Sequence, residues 1–197
     1  MATWLTEVEL SGHGVTLEPL RTEHAEELRV AVLDGELWKL WFTLVPRVEE
    51  MGSYIASALQ TQVEGSAVPF LIRTALDGKA VGTTRFCNID HAHQRAEIGY
   101  TWLAKSIQRT SANSACKLLL LQHLFEDRAA IAVEFRTHWH NAASRQVILR
   151  LGAKQDGVLR QHRRESFGGF RDTVVYSILD NEWPPVKLGL TACLTRS

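Results

Sequence analysis

The sequence predicts a mixed α/β fold on one mostly antiparallel sheet flanked by helices, and three observations carry that expectation. Residues 68–75, 79–89 and 95–103 are consecutive strand-like runs, joined by Asp77-Gly78 and by Asp90-His91-Ala92-His93. Asp-Gly between alternating runs is a hairpin signal, because tight hairpin turns need positive φ at their centre. Two further runs, near 154–163 and 170–179, are joined by Ser166-Phe167-Gly168-Gly169. The helical patterns fall before, between and after these runs rather than alternating with each strand, so a doubly wound sheet is not expected.

Taken in order, Val15-Thr16-Leu17-Glu18-Pro19-Leu20 alternates and ends on a proline, which suits a first, edge-like strand. Thr22 can cap a helix whose Ala25, Leu28, Ala31 and Val32 share one face. A loop holding Leu37, Trp38, Leu40, Trp41 and Phe42 precedes Pro46, and a second helix is expected from Val48 to about Val63. Gly65-Ser66 breaks the chain before the three-strand meander. A helix from about Ala112 to Glu126 is apolar on nearly every side and therefore buried. A strand over Ile131–Thr137 follows, then a helix opening at Asn141 and stopping at Gly152, a C′ glycine. After Trp183-Pro184-Pro185 the chain can resume as a short helix with Val186, Leu190, Cys193 and Leu194 on one stripe. One domain over 1–183 with an extension over 184–197 is the simplest division. The extension could pack on its own domain or join a homodimer.

The chain has 197 residues, 45% of them apolar and 22% charged, enough to bury one core. Lysine plus arginine and aspartate plus glutamate number 22 each, so no basic excess points to direct nucleic-acid binding. Cys87, Cys116 and Cys193 are odd in number and widely spaced, a reduced rather than a disulfide-linked pattern. No run approaches the roughly 20 apolar residues of a membrane span. The expected location is cytoplasmic.

Three places offer chemistry. Strict alternation over 95–103 puts Ala96, Ile98, Tyr100 and Trp102 on one face and Glu97, Gly99, Thr101 and Leu103 on the other. Glu97 is thus a carboxylate in a central strand with a glycine leaving room beside it. It could act as a general base, its pKa raised by burial, or pair with an arginine on a neighbouring strand such as Arg85. The turn Gln108-Arg109-Thr110-Ser111-Ala112-Asn113 precedes the buried helix, where free N–H groups and the helix dipole can cradle phosphate. Lys117, one turn further in, could add charge. At Asn141-Ala142-Ala143-Ser144-Arg145, Asn141 is a good N-cap and Ser144 shares a face with Ile148 and Leu151. His91-x-His93 and His138-x-His140 lack any CxxC or HExxH companion, so no metal is expected.

Together these segments resemble the GCN5-related N-acetyltransferase (GNAT) superfamily, and most closely its RimJ/RimL-like branch of ribosomal-protein acetyltransferases. The resemblance runs from about Val15 to Trp183. It rests on Ala96-Glu97-Ile98-Gly99-Tyr100-Thr101-Trp102-Leu103, Asn141-Ala142-Ala143-Ser144-Arg145, Leu151-Gly152-Ala153 leading into Gly157-Val158-Leu159-Arg160, and Arg171-Asp172-Thr173-Val174-Val175-Tyr176-Ser177-Ile178-Leu179. It implies a sheet splayed between the fourth and fifth of the expected strands, with the pantetheine of acetyl-CoA lying between them as a co-substrate. The backbone at Trp102 and Leu103 would bond the pantetheine. The amides of Gln108, Arg109, Thr110, Ser111, Ala112 and Asn113 would hold pyrophosphate. Asn141 and Ser144 would face the thioester, and Arg145 could reach a CoA phosphate. Trp38, Trp41 and Phe42 fall in the acceptor-pocket segment, as a wall for the substrate or a plug over the sheet.

The implied reaction is direct attack of a primary amine on the thioester, Glu97 taking the proton and Ser144 giving one to the departing sulfur. Two departures stand out. Ser111 and Asn113 occupy glycine-type places of the family's turn, and Arg109 stands where this branch often has glycine. Ile148 replaces a tyrosine that in many relatives protonates the thiolate. A CoA-binding or protein-binding module without turnover therefore remains the competing reading. The acceptor and the choice of acetyl or succinyl donor stay open.

Overall fold

The computed structural model describes residues 3–165 and 168–195. The expected Ser166–Gly169 connection therefore lies partly outside the described residues. The chain first forms a hairpin, Leu10–Gly12 (β1) and Val15–Pro19 (β2), around His13 and Gly14, whose φ values are 51° and 81°. This corrects the expectation of an edge at Val15, since β1 covers β2 and becomes the edge itself. Three residues are too few to show a period in the sequence.

Helix Ala25–Leu33 (α1) follows a 3₁₀ turn over Thr22–His24, so Thr22 does not cap it. Helix Met51–Val63 (α2) starts three residues later than the pattern suggests. The meander is Val68–Thr74 (β3), Ala80–Asp90 (β4) and Arg95–Leu103 (β5), all antiparallel. Helix Ala112–Gln122 (α3) ends in a wider π-type turn over His123–Asp127, followed by strand Ala132–His138 (β6). Helix Ala142–Arg150 (α4), strands Lys154–Arg164 (β7) and Phe170–Leu179 (β8), and helix Trp183–Leu194 (α5) complete the order.

The sheet runs β1-β2-β3-β4-β5-β6-β8-β7. Its one parallel contact, β5 with β6, extends only over Arg95↔Ala132, Ala96↔Val133 and Glu97↔Glu134. Beyond Glu97 the two strands part, which is the splay expected between the fourth and fifth strands of the seven foreseen. Among the described residues, β5 has no strand partner on that side from Ile98 onward.

A bulge in β5 sets which residues face where. Gly99 pairs with Arg85 and Trp102 with Thr83, so Tyr100 and Thr101 together oppose Thr84. Tyr100 takes φ 52°, and the face assignment inverts beyond it. Ala96, Ile98 and Leu103 join the core that buries α3, α4 and α5, whereas Trp102 joins the core under α1 and α2 with Leu71. Tyr100 lies with Arg85, not with Ile98. Strict alternation thus fails after Gly99.

The larger core holds Phe70, Phe86, Phe135, Tyr176 and Leu118, each at most 2% exposed. Burying such a side chain contributes about 1.5–3 kcal/mol. Helix α5 belongs to this core. Pro184 and Pro185 occupy its first turn, where the missing N–H costs nothing. Trp183 and Leu190 are buried, and Trp183 Nε1 donates to Glu126 Oε1 at 2.8 Å. Gly152 ends α4 with φ 98°, and a Cβ there would lie 2.8 Å from Val186 of α5. Val186, Leu190 and Leu194 of the expected stripe therefore pack on their own domain, while Cys193 is exposed.

Candidate functional site

The site is built where β5 and β6 part. Glu97, the last residue of β5 paired with β6, is 7% exposed. Burial pushes its carboxyl above the ordinary value, against the opposing hydrogen bond from Asn88 and the charge of Arg136. Asn88 Nδ2 donates to Glu97 Oε2 at 2.6 Å, and Arg136 Nε lies 3.5 Å from the same oxygen. The ion-pair partner is therefore Arg136 of β6 rather than Arg85. Arg85 instead lies over the rings of Tyr54 and Tyr100, at 4.8 and 4.3 Å. Gly99 does leave room: a Cβ there would come within 3.0 Å of Glu97 Oε1. Asn88 could not be read from the sequence, because it reaches Glu97 through a bulge in β4 at which its own φ is 47°.

The second part is the turn before α3. Thr110 N–H donates to Ile107 O and Ala112 N–H to Thr110 Oγ1. Among the described residues the amides of Arg109, Ser111, Asn113 and Ser114 have no intramolecular acceptor. Four unpaired N–H groups at the positive end of an 11-residue helix suit an anion. A cleft of about 360 Å³ opens there, lined by Arg109, Thr110, Ser111, Ser114, Cys193 and Leu194. Arg109 adopts φ 66°, so the turn keeps a left-handed residue although no glycine supplies it. The Gln108 N–H donates to Ala104 O at 3.2 Å and its Nε2 to Leu103 O at 2.9 Å, so the amides of Gln108, Thr110 and Ala112 expected at the cradle are already engaged. Left-handed backbone costs a side-chain-bearing residue about 1–2 kcal/mol. Arg109→Gly is therefore expected to raise stability by roughly 1 kcal/mol, measured by denaturant unfolding. A loss of stability would show that the Arg109 side chain holds the turn.

Lys117 does not reach this turn. Its Nζ donates to Thr101 Oγ1 at 2.7 Å, and the residue is 5% exposed. The expected addition of charge at the phosphate cradle is corrected by this placement, since its helical position turns it inward towards the sheet.

On α4, Asn141 Oδ1 accepts the Ser144 N–H at 3.0 Å, the N-cap expected of it. The Asn141 side-chain Nδ2 and the Ser144 hydroxyl make no intramolecular hydrogen bond among the described residues. Arg145 is held elsewhere. Its Nε donates to Tyr176 Oη at 3.2 Å, a second nitrogen donates to Trp139 O at 3.3 Å, and it stacks 4.4 Å from the Trp139 ring. These contacts hold it away from the phosphate role expected of it.

Trp41 and Phe42 pack on His138, with ring centroids 5.0 and 6.5 Å apart. Trp38 packs instead against the α1–α2 core, so only part of the expected aromatic wall forms. A cleft of about 460 Å³ lies between Trp41, the Trp139-His140 segment and the β7–β8 pair at Arg160, Phe170 and Asp172. His138 Nδ1 accepts the His140 N–H at 3.0 Å, so Nε2 carries the proton and donates to Glu165 Oε1 at 3.1 Å. Burial and the Arg171 charge hold His138 below its ordinary pKa. His91 Nε2 bonds Gly65 O, and His93 bonds Asp90. Among the described residues no three His, Cys, Asp or Glu side chains are grouped to hold a metal, and no helix is long and apolar enough to cross a membrane.

The acetyltransferase (GNAT) domain family matches residues 15–154. YdaF of Bacillus subtilis (strain 168), provisionally named a ribosomal N-acetyltransferase, is 32% identical over 111 residues, covering 56% of this chain. The match spans only 60% of YdaF's length. A crystal structure of a provisionally named acetyltransferase from T. thermophilus superposes with a TM-score of 0.84 at 33% identity, covering 97% of this chain and 99% of the other. Mycobacterium smegmatis RimJ in complex with CoA-disulfide superposes with a TM-score of 0.76 at 25% identity, covering 95% and 93%.

Proposed function

Because the chain belongs to the GNAT acetyltransferase family, with RimJ among its structural relatives, we propose that it transfers an acetyl group from acetyl-CoA to a primary amine, by direct attack in a ternary complex. The observation that carries this reading is one line of features along the splay: the four unpaired amides at Arg109–Ser114, the unpartnered edge of β5, and the buried Glu97 carboxylate at its closed end. Pyrophosphate would lie on the amides and the pantetheine along Trp102 and Leu103. Glu97, held above its ordinary pKa by burial, would accept the amine proton directly or through water. Amides of the β5 edge would stabilise the tetrahedral oxyanion. The Asn141 side-chain Nδ2 and the Ser144 hydroxyl would serve the thioester end, Ser144 offering its proton to the sulfur.

The acceptor is a protein N-terminus or a small-molecule amine, entering through the cleft between Trp41, Trp139 and Phe170. α-Amines titrate near pH 8, so a modest base suffices to keep one neutral.

Isothermal titration with acetyl-CoA, and with CoA as control, tests the donor site. The expected result is micromolar binding of both. No heat at millimolar CoA would sink the reading and leave the fold as ancestry alone. Binding without transfer to any amine in a peptide and metabolite-amine screen would favour the non-catalytic module.

A further inference from the structure

Lys117 is a buried cation that the acetyl-transfer reading does not use. Its side chain enters from α3, on the face of β5 opposite Glu97. It meets Thr101 Oγ1 at 2.7 Å, and Thr101 Oγ1 lies 2.8 Å from Thr84 Oγ1. The Phe135 ring of β6 is 6.0 Å from Nζ. Lys117 therefore lies between the two diverging strands, just beyond the point where their pairing ends.

No carboxylate pairs with it among the described residues. The titratable groups acting on it are two thiols, Cys116 on its own helix and Cys87 on β4. Burial pushes both upward, Cys116 to about 12, so neither supplies a negative charge. A buried ammonium without a counter-charge is costly.

We infer that Lys117 supplies the positive charge that receives the CoA sulfur when it leaves as a thiolate. The inference rests on the acetyl-transfer reading. An arm laid along the bare β5 edge from the Arg109–Ser114 cradle ends near Ile98–Thr101, with Glu97 on one face and Lys117 on the other. The amine nitrogen forms a bond to the acyl carbon and gives its proton to Glu97. The carbon–sulfur bond breaks, and its electron pair stays on sulfur opposite the Lys117 ammonium. Thr101, oriented by Lys117, contributes a hydrogen bond, and Ser144 a second. The charge carries the sulfur through departure, and the proton from Ser144 follows.

The thiolate absorbs in the ultraviolet where the thiol does not, so bound CoA can be titrated directly, with desulfo-CoA as the blank. In the wild type, bound CoA should titrate at least one unit below its value in solution, a roughly tenfold larger thiolate fraction near neutral pH. In Lys117→Met that shift should vanish while calorimetry still shows CoA bound. Lys117→Gln, which can keep the bond to Thr101 without the charge, should behave as the methionine variant does. A wild-type titration equal to that of free CoA overturns the inference and leaves the acetyl-transfer reading standing, as does an equal shift in the variants. Absence of CoA binding to the wild type overturns both, and calorimetry separates that case from the first.

Discussion

Replacing Glu97 with glutamine is expected to lower kcat by about a hundred- to ten-thousand-fold near neutral pH, with little change in acetyl-CoA affinity. Glutamine keeps the shape and can still accept the Asn88 hydrogen bond of 2.6 Å. Arg136 retains Glu134, 2.9 Å away, so no buried charge is orphaned. What disappears is the proton acceptor. In the wild type, the rate should rise with pH through a pKa above the ordinary glutamate value, because burial favours the protonated carboxyl and only the ionised form accepts a proton. The variant should lack that rise. Turnover within a few-fold of wild type from pH 6 to 9 would remove Glu97 from the chemistry.

Much of this arrangement is legible in the sequence alone. The meander, the α4 cap at Asn141 and the glycine stop at Gly152 follow from local rules of turns and caps, which act within a few residues. The position of Glu97 followed too, since alternation holds up to Gly99. Features set by longer-range packing were not legible. The Tyr100 bulge inverts the faces of Thr101, Trp102 and Leu103, and its one local sign is Gly99 beside it, which the alternation reading took only as room for Glu97. Asn88 and Arg136 come from two different strands to meet one carboxylate. Lys117 reads as added charge at the phosphate turn, but its helical position turns it towards Thr101 of the sheet. Arg145 reads as a phosphate contact, yet Tyr176, 31 residues on, holds its guanidinium.

Lys117→Met is expected to stabilise the protein by about 3 kcal/mol near pH 7. Burial lowers the Lys117 pKa from 10.5 to about 8, so the folded state holds its proton less readily than the unfolded chain does. Below about pH 8 the wild type bears the whole cost of an unpaired buried charge. Between pH 8 and 10.5 the folded protein has released that proton while the unfolded chain keeps it, so wild-type stability rises with pH across this window. The advantage of the methionine variant should shrink over the same window and vanish above it. Methionine fits the space of the lysine stem, and Thr101 keeps its bond to Thr84 at 2.8 Å. Urea unfolding of both proteins at pH 7 and pH 10 measures the difference. A variant less stable than wild type at pH 7 would show that Lys117 has a compensating partner in the folded state.

The packing of α5 on α3 bears on how the protein should be handled at the bench. Cys193 and Leu194, at the last turn of α5, line the same cleft as Arg109 and Ser111. An affinity tag or fusion partner attached after Thr195 would start at the mouth of the proposed cofactor cleft and crowd it, whereas one placed before Trp4 starts beside His91 and Arg128, at the opposite end of β5. Cys193 is also the exposed thiol of the three, with Cys87 and Cys116 buried. A fluorophore attached there would sit beside the amide cradle and report cofactor occupancy by a change in its emission.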